Sequence, residues 1–301
     1  YEFINPNEKE ADETEAMNNG IRPVLIDVRE KDQMKQQRAF LGATVSLGEK
    51  QEAIPFLGPG AAMEYELSTA IKKLAVSEKP MVGFLQGHGE APLNELMEAS
   101  EQLSILYQTR DITLTDSTDV PSEIKTMAII RPQDSIPASH LRILDSFLAR
   151  GGRLFIAMNR VSGDLQNAYG FAVNTGLENW LQEKGLQAED SFVTDARCGS
   201  VSVPQRMGPF TVQTNVSFPY VPVISNFADH PVTSGLEAML LEFASPLTYT
   251  GDSTKRFTPI AFTSEKSNTL KAPQFFDIRK EWTEEDFPAQ NIAVAAILEG
   301  A

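Results

Sequence analysis

Residues 80–90 read Pro-Met-Val-Gly-Phe-Leu-Gln-Gly-His-Gly-Glu, an apolar run that ends in a turn bracketed by two glycines. Pro92 follows where the first turn of a helix tolerates it, because its missing N–H would have no partner there. Leu93, Leu96 and Leu103 then recur at helical spacing. The stretch therefore predicts a short buried strand, a tight turn and a helix, in that order.

The same alternation continues as far as residue 159. Apolar runs at residues 112–115, 126–131 and 153–158 are predicted strands. Residues 139–150 form a predicted amphipathic helix that ends at two glycines. Strands that alternate with helices of this length indicate a parallel sheet covered on both faces, so we predict an α/β fold with this sheet at its centre.

Ligands bind such a sheet at the carboxyl ends of its strands. The candidate binding residues at these ends are Gln86, Gly87, His88, Gly89, Glu90, Arg131, Asn159 and Arg160. His230 is added from the segment 229–236, where the proline that follows it favours an extended backbone. The turn at residues 86–90 is the strongest of these candidates, because its glycines permit a tight turn and expose N–H groups that suit an anion or a polar ligand.

Three interpretations of that turn stay open. It is a structural turn at the sheet edge, a binding site for a ligand or partner, or a catalytic site in which His88 and Glu90 act as acid and base. Two side chains do not define a metal site, and the sequence places neither His140 nor His230 beside them. We predict no metal and no cofactor.

Other catalytic signatures are missing from the sequence. It contains neither the G-x-S-x-G motif of a nucleophile elbow nor a phosphate-binding P-loop. Pro132 and Gln133 follow the predicted strand at residues 126–131, so no nucleophile stands at that strand end. Cys198 is the single cysteine, which excludes an internal disulfide, a CxxC redox pair and a cysteine-based zinc site.

Composition limits the possible partners. The chain has 301 residues, 42% of them hydrophobic, which suggests about two domains. Its 26 basic and 41 acidic residues give a net charge of −15, which disfavours nonspecific binding to nucleic acid and to anionic lipid. It has no apolar run of about 18 residues, but it starts without Met and stops within the apolar run 295–301. We therefore expect a soluble region excised from a longer protein.

We predict two domains, at residues 1–78 and 79–301. The first has the order strand, helix, strand, hairpin, helix of a small thioredoxin-like layer, with the charged residues 29–38 as a turn or hairpin end. Without a CxxC pair it is expected to be an interaction surface. In the second, residues 161–176 and 266–286 are predicted loops, and proline-separated short strands, among them 210–216 and 221–225, are expected to extend the central sheet.

A set of motifs occurs in the order found in one protein family. They are Tyr1-Glu2-Phe3-Ile4-Asn5-Pro6, Gly20-Ile21-Arg22-Pro23-Val24, Gln86-Gly87-His88-Gly89-Glu90, Pro132 with Gly151-Gly152-Arg153-Leu154, Asp229-His230-Pro231-Val232-Thr233 and Leu298-Glu299-Gly300. The ordered set resembles the extracytoplasmic region of the GldG-type auxiliary component of ABC transporters, associated with gliding motility in Bacteroidetes. The resemblance covers nearly the whole chain.

This resemblance implies a membrane-anchored partner of an ABC permease and its ATPase. The soluble region would lie on the periplasmic side of the bacterial inner membrane, with transmembrane helices before Tyr1 and beyond Ala301. It also implies a three-layer central domain similar to flavodoxin-like and class I glutamine-amidotransferase-like folds, as in the intraflagellar-transport GIFT-type domain. Active amidotransferases carry a nucleophilic Cys near the position of Pro132, so this departure favours a non-catalytic role.

The leading hypothesis is therefore a non-catalytic domain that binds a partner protein or a polar ligand, such as a glycan. The second is a hydrolase or amidotransferase relative that uses His88 and Glu90. The third is a solute-binding protein, which would need a deep cleft between two hinged lobes.

Overall fold

A computed structural model describes residues 1–30, 33–58, 63–76, 78–207 and 210–300. Its α-helices are α1 (Glu10–Asn18), α2 (Met63–Ala75), α3 (Met97–Ser104), α4 (Ala138–Ala149) and α5 (Leu177–Glu183). Its longer strands are β1 (Pro23–Glu30), β2 (Gln33–Phe40), β3 (Ala43–Leu47), β4 (Lys50–Ile54), β5 (Met81–Gln86), β6 (Gln108–Thr113), β7 (Ile124–Ile130), β8 (Arg153–Ala157), β9 (Val161–Asp164), β10 (Tyr169–Ala172), β11 (Leu186–Ala188), β12 (Ser191–Asp195), β13 (Cys198–Met207) and β14 (Phe210–Ile224). The remaining strands are β15 (Asn226–Phe227), β16 (Met239–Leu240), β17 (Leu247–Tyr249), β18 (Arg256–Phe262), β19 (Ser267–Lys271), β20 (Gln274–Phe275) and β21 (Ala293–Glu299).

The chain divides into two compact units. The first comprises Tyr1–Met81 with Met97–Thr109, and the second comprises Val82–Leu96 with Arg110–Ala301. Across the described residues, no helix combines the length and apolar composition needed to cross a bilayer.

The first unit contains two antiparallel hairpins. Strands β1 and β2 pair from Pro23 opposite Phe40 to Glu30 opposite Gln33, and β3 pairs with β4. Helix α2 packs on the second hairpin, where the Lys73 ammonium lies 2.7 Å from the Glu52 carboxylate. Residues 29–38, predicted as a turn or hairpin end, include the last pair of the β1–β2 hairpin, Glu30 opposite Gln33, and also most of β2. The hairpins are separate two-stranded sheets, and a thioredoxin-like arrangement stays a prediction.

The predicted parallel sheet is confirmed. Its four strands lie in the order β6-β5-β7-β8, and β7 and β8 pair in parallel from Thr126 opposite Arg153. Four consecutive residues of β5 are buried, as expected for a strand covered on both faces. Helix α4 contributes the fully buried side chains of Leu144 and Phe147. The bounds of β5, β7, α4 and β8 lie within about two residues of those predicted from apolar periodicity.

The part of the chain beyond α5 differs from the prediction. Instead of extending the parallel sheet, it forms small antiparallel sheets, with β12 paired to β19, β14 between β13 and β16, and β18 between β15 and β21. Residues 161–176, predicted as a loop, contain the β9–β10 hairpin, and residues 266–286, also predicted as a loop, contain β19 and β20. The apolar residues in these segments are too few and too closely interrupted to give a periodic signal, and their burial comes from partners distant in sequence.

Strand β14 spans two prolines that were expected to divide it. Its pairing with β13 jumps from Ser217 opposite Ser200 to Pro222 opposite Cys198. Pro219 and Pro222 therefore lie in or beside an irregular stretch, where a missing N–H costs no regular ladder bond. The strand runs through both prolines and is 15 residues long in total.

Aromatic side chains build the core of the second unit. Its buried members are Val161, Phe192, Phe218, Tyr220, Val221, Phe243 and Phe276. The Phe192 ring lies edge-on to three others, with centroid distances of 5.6, 5.8 and 5.7 Å to Tyr220, Phe243 and Phe276. This is the preferred geometry of aromatic pairs.

Two glycines let this core press against the backbone of the sheet formed by β9, β10 and β20. A Cβ added at Gly170 would lie 2.5 Å from Phe192, and one at Gly163 would lie 2.5 Å from Phe243. A side chain at either glycine would displace a core ring. The alternate residues Tyr169 and Phe171 belong to the outer face, because neighbouring residues of a strand point to opposite sides.

The two tryptophans of the chain both belong to the second unit. Trp180, on α5, is buried and donates from Nε1 to the Asp145 carboxylate over 3.0 Å. Trp282 is half-buried, and its ring stacks on Phe287 at a centroid distance of 5.5 Å.

Candidate functional site

The turn after β5 depends on its two glycines. Gly87 and Gly89 have φ values of +112° and +72°, a region that side chains disfavour. A Cβ at Gly89 would also lie 3.0 Å from Asp134 Oδ2. The His88 carbonyl accepts hydrogen bonds from the backbone N–H groups of Gln133 and Asp134, at 3.0 and 2.8 Å. The turn therefore joins the carboxyl end of β5 to that of β7.

Successive residues of this turn alternate between the surface and the interior. His88 and Glu90 are only 4% and 7% exposed, whereas the two glycines are exposed. The Glu90 carboxylate accepts the backbone N–H of His88 over 2.6 Å and lies 3.0 Å from Nδ1 of the same residue. Both oxygens of a buried carboxylate are thus satisfied within the turn, which offsets the cost of removing the charge from water.

The third member of the cluster is His140, which the sequence did not place here. It lies in the first turn of α4, and its Nδ1 is 2.8 Å from Nε2 of His88. The two rings are edge-on, with centroids 5.1 Å apart. A signal was present in the sequence: α4 starts soon after β7, so its first turn lies at the sheet edge that also receives the turn after β5.

The cluster is a hydrogen-bonded chain that runs from the interior to the surface. Beyond His140, Nε2 of that ring lies 3.8 Å from the carboxylate of exposed Asp116, which also accepts a 2.5 Å hydrogen bond from Ser139. The Glu90 carboxylate accepts from Nδ1 of His88, whereas the hydrogen bond between Nε2 of His88 and Nδ1 of His140 can run in either direction, depending on the tautomers of the two rings.

This geometry limits the chemistry of the cluster. In an acid–histidine–nucleophile triad, the outer ring nitrogen faces a hydroxyl or thiol. Here it faces His140. Among the described residues, no group of three or more His, Cys, Asp and Glu side chains is placed to hold a metal ion. The buried pair holds the turn in place, and the backbone of its two glycines is exposed.

Two other predicted residues lie beside the turn. Exposed Arg131, with φ of +51°, pairs with the exposed Glu95 carboxylate at 2.9 Å and donates its backbone N–H to Ala157. The Gln86 amide donates to the Ala91 carbonyl over 3.3 Å and so braces the turn.

The remaining predicted residues make contacts away from the turn. The Asn159 amide donates to the Glu242 carbonyl, and His230 accepts the N–H of Val232 within its own turn. Arg160 is 8% exposed and donates to the carbonyls of Val173 and Ala188 and to Asn174. The structure thus joins residues 86–90 with Arg131 and His140, and it gives Asn159, Arg160 and His230 other surroundings.

Burial also changes the acidity of Cys198. Desolvation raises the pKa of the thiol, the charge of Asp195 adds to the rise, and a backbone hydrogen bond from Phe218 opposes it. A neutral thiol is a poor nucleophile, and Cys198 lies on β13, in a separate sheet from the strands that carry the cluster.

Comparison with known proteins gives a matching family and, among the similar proteins, one bacterial relative and one solved structure. Residues 79–301 match the model of the ABC transporter auxiliary family, described as an ABC-type uncharacterized transport system. An uncharacterized protein of Borreliella burgdorferi is 23% identical over 270 residues, which are 86% of this chain and 52% of that protein. The chain thus spans about half the length of this relative.

A solved structure, the mmIFT52 N-terminal domain, is similar with a TM-score of 0.44 and 12% identity. The similarity covers 61% of this chain and 73% of that one. The family model matches more than half of this chain, and the chain belongs to the auxiliary family of ABC-type transport systems.

Proposed function

We propose that this chain is a non-catalytic, extracytoplasmic domain of a membrane-anchored auxiliary protein that works with an ABC permease and its ATPase. The family match over residues 79–301 is the observation that carries the proposal. The proposed location is the periplasmic side of a bacterial inner membrane, with the membrane helices elsewhere in the parent protein. The GldG-type identity and a role in gliding motility or export are the finer form of the same proposal.

The proposed domain organisation is the one predicted from the sequence. Residues 1–78 would be a thioredoxin-like layer and residues 79–301 a flavodoxin-like or amidotransferase-like domain. The start of the family match at residue 79 supports this division.

The proposed contact surface for a partner is the exposed rim of the turn after β5. Gly87, Gly89, Arg131, Gln133 and Asp134 are all exposed there. Their backbone is fixed from beneath by the buried His88–Glu90 pair and by the hydrogen bonds that join β5 to β7. A rigid polar surface loses little conformational entropy on binding, which favours recognition of another folded protein.

Affinity purification of the full-length parent from detergent-solubilised membranes, followed by mass spectrometry, tests this proposal. We expect recovery of an ABC permease and its ATPase. We also expect lower recovery with Arg131→Glu together with Gln133→Ala, and unchanged recovery with the control Arg256→Glu, another exposed arginine. Recovery of the parent alone would overturn the auxiliary role. Equal recovery with both variants would overturn the contact surface only.

Acid–base chemistry at His88 and Glu90 is the second candidate, favoured by the continuous hydrogen-bonded chain to His140. It predicts a hydrolase activity that His88→Ala abolishes and that His230→Ala leaves unchanged. An activity equally present in both variants would exclude the pair as its source.

A further inference from the structure

We infer that a cleft next to α5, separate from the turn after β5, binds a small zwitterion of the α-amino acid class. The cleft has a volume of about 300 Å³, at the lower end of the roughly 300–1,000 Å³ typical of ligand pockets. Its walls come from α5, from β11 and the start of β12, and from the end of β19, with Arg160 also lining it.

The guanidinium of Arg160 supplies the first half of the argument. Its Nε donates to the Ala188 carbonyl over 3.4 Å, and its Nη1 donates to Val173 and Asn174. Its Nη2 makes no hydrogen bond to any described residue, although the residue is more than nine-tenths buried. Every enclosed polar side-chain atom of the described residues has a hydrogen-bond partner, so Nη2, which has none, keeps some access to solvent. We take this access to be through the cleft that Arg160 lines, which leaves two N–H groups of Nη2 available to a ligand.

The hydrogen bonds of Arg160 hold its side chain rigid. The Glu178 carboxylate lies 3.7 Å from Nη1 and is itself held by the N–H and hydroxyl of Thr175, at 3.1 and 3.2 Å. A buried, fixed guanidinium with free donors is suited to a carboxylate, because a charge-assisted hydrogen bond forms there without further ordering of the side chain.

The other charges of the cleft exclude a simple anion. Glu178, Glu189 and Asp190 line it together with Arg160 and Lys271, so three acids face two bases. The Lys271 ammonium is exposed and lies 3.7 Å from Asp190. A lone anion would meet net repulsion, whereas a ligand with both charges places its carboxylate on Arg160 and its ammonium toward Glu189.

Amide side chains complete the cleft. Asn179, Gln182 and Gln187 line it, and none of the three side chains has a hydrogen-bond partner among the described residues. Such amides both donate and accept, so they suit the polar remainder of a small amino acid. The volume limits the ligand to about the size of one amino acid residue.

Calorimetric titration of the 301-residue chain with matched probes tests the inference. The probes are alanine, glutamine, propionate, which lacks the ammonium group, and ethylamine, which lacks the carboxylate. We expect alanine or glutamine to bind at least about tenfold more tightly than propionate and ethylamine. Equal binding of propionate or of ethylamine would overturn the zwitterion class, and absence of binding by all four would overturn the site.

Variants locate the binding. Glu189→Gln removes the negative charge that would face the ammonium, without touching the contacts of Arg160, and we expect about tenfold weaker binding of alanine. Gln182→Ala is expected to weaken binding as well. Its matched control is Glu183→Ala, the exposed neighbour on α5 that does not line the cleft. Equal affinity in Glu189→Gln and Glu183→Ala would place the ligand elsewhere. No other subunit is present in this experiment, so its outcome is independent of the role in an ABC system.

Discussion

Replacing His88 by Ala is expected to lower the free energy of unfolding by about 2–4 kcal/mol, because it leaves the Glu90 carboxylate buried with one partner fewer. Chemical denaturation with urea measures the change. The control is His230→Ala, whose ring accepts one N–H in an exposed turn, and its expected effect is within about 1 kcal/mol. Similar effects of the two substitutions would contradict the structural role of the His88–Glu90 pair.

A second residue-scale prediction concerns Tyr220. Burial in the aromatic core raises the pKa of its phenol to about 12, from a value near 10 in an unfolded chain. Its contribution to stability is therefore complete below about pH 10 and is lost as the pH rises toward 12. An ultraviolet titration should show a late tyrosinate transition near pH 12 that is missing from Tyr220→Phe. The same late transition in the variant would refute the assignment.

At the scale of elements, the two glycine positions on the inner face of the β9–β10–β20 sheet are expected to tolerate no side chain. Gly170→Ala would place a Cβ 2.5 Å from Phe192 and 2.6 Å from Phe276, and should destabilise the chain by about 1–3 kcal/mol. Thermal unfolding measures this. Phe171→Leu, the next residue on the outer face of the same strand, should cost less than about 1 kcal/mol. The opposite order would mean that the two faces are assigned wrongly.

The sequence predicted the elements whose burial is periodic. The sequences of strands β5, β7 and β8 and of helix α4 carry continuous apolar patterns of the expected length. These elements bury their apolar residues within a single sheet and the helix that packs on it. The β9–β10 hairpin shows no such pattern, because glycines occupy two of its inner positions, Gly163 and Gly170. Their apolar partners, Phe243 and Phe276, lie far along the chain. Pro219 and Pro222 in β14 predict strand ends for a similar reason. The sequence around a proline does not show which strand pairs with it, or that the pairing there is irregular.

The sequence likewise predicts only the part of the candidate site that is local in the chain. A glycine-bracketed turn after an apolar run located His88 and Glu90 from local sequence. The contact between His88 and His140 depends on the angle at which α4 leaves β7, which spacing alone does not determine. Arg160 was expected at the same sheet edge, yet its guanidinium turns toward carbonyls of residues 173 and 188.

For the whole molecule, we expect the first unit to exchange its amide hydrogens faster than the second. The buried apolar residues described in the first unit are Ala16, Ile21, Ile54, Ala70 and Leu74, without an aromatic ring among them. An isolated two-stranded hairpin such as β1–β2 is also marginally stable. Hydrogen exchange with mass spectrometry compares β1 with β7, strands of similar length. Equal protection would show that the two units open together.

The positions of Trp180 and Trp282 have a practical consequence for spectroscopy. Both indoles lie in the second unit, so intrinsic tryptophan emission does not report directly on the first. Far-ultraviolet circular dichroism detects the helices and hairpins of both units. If the two signals change at the same denaturant concentration, the chain unfolds as one cooperative block; if dichroism is lost first, the early part of that curve measures the stability of residues 1–81 and 97–109 without any label.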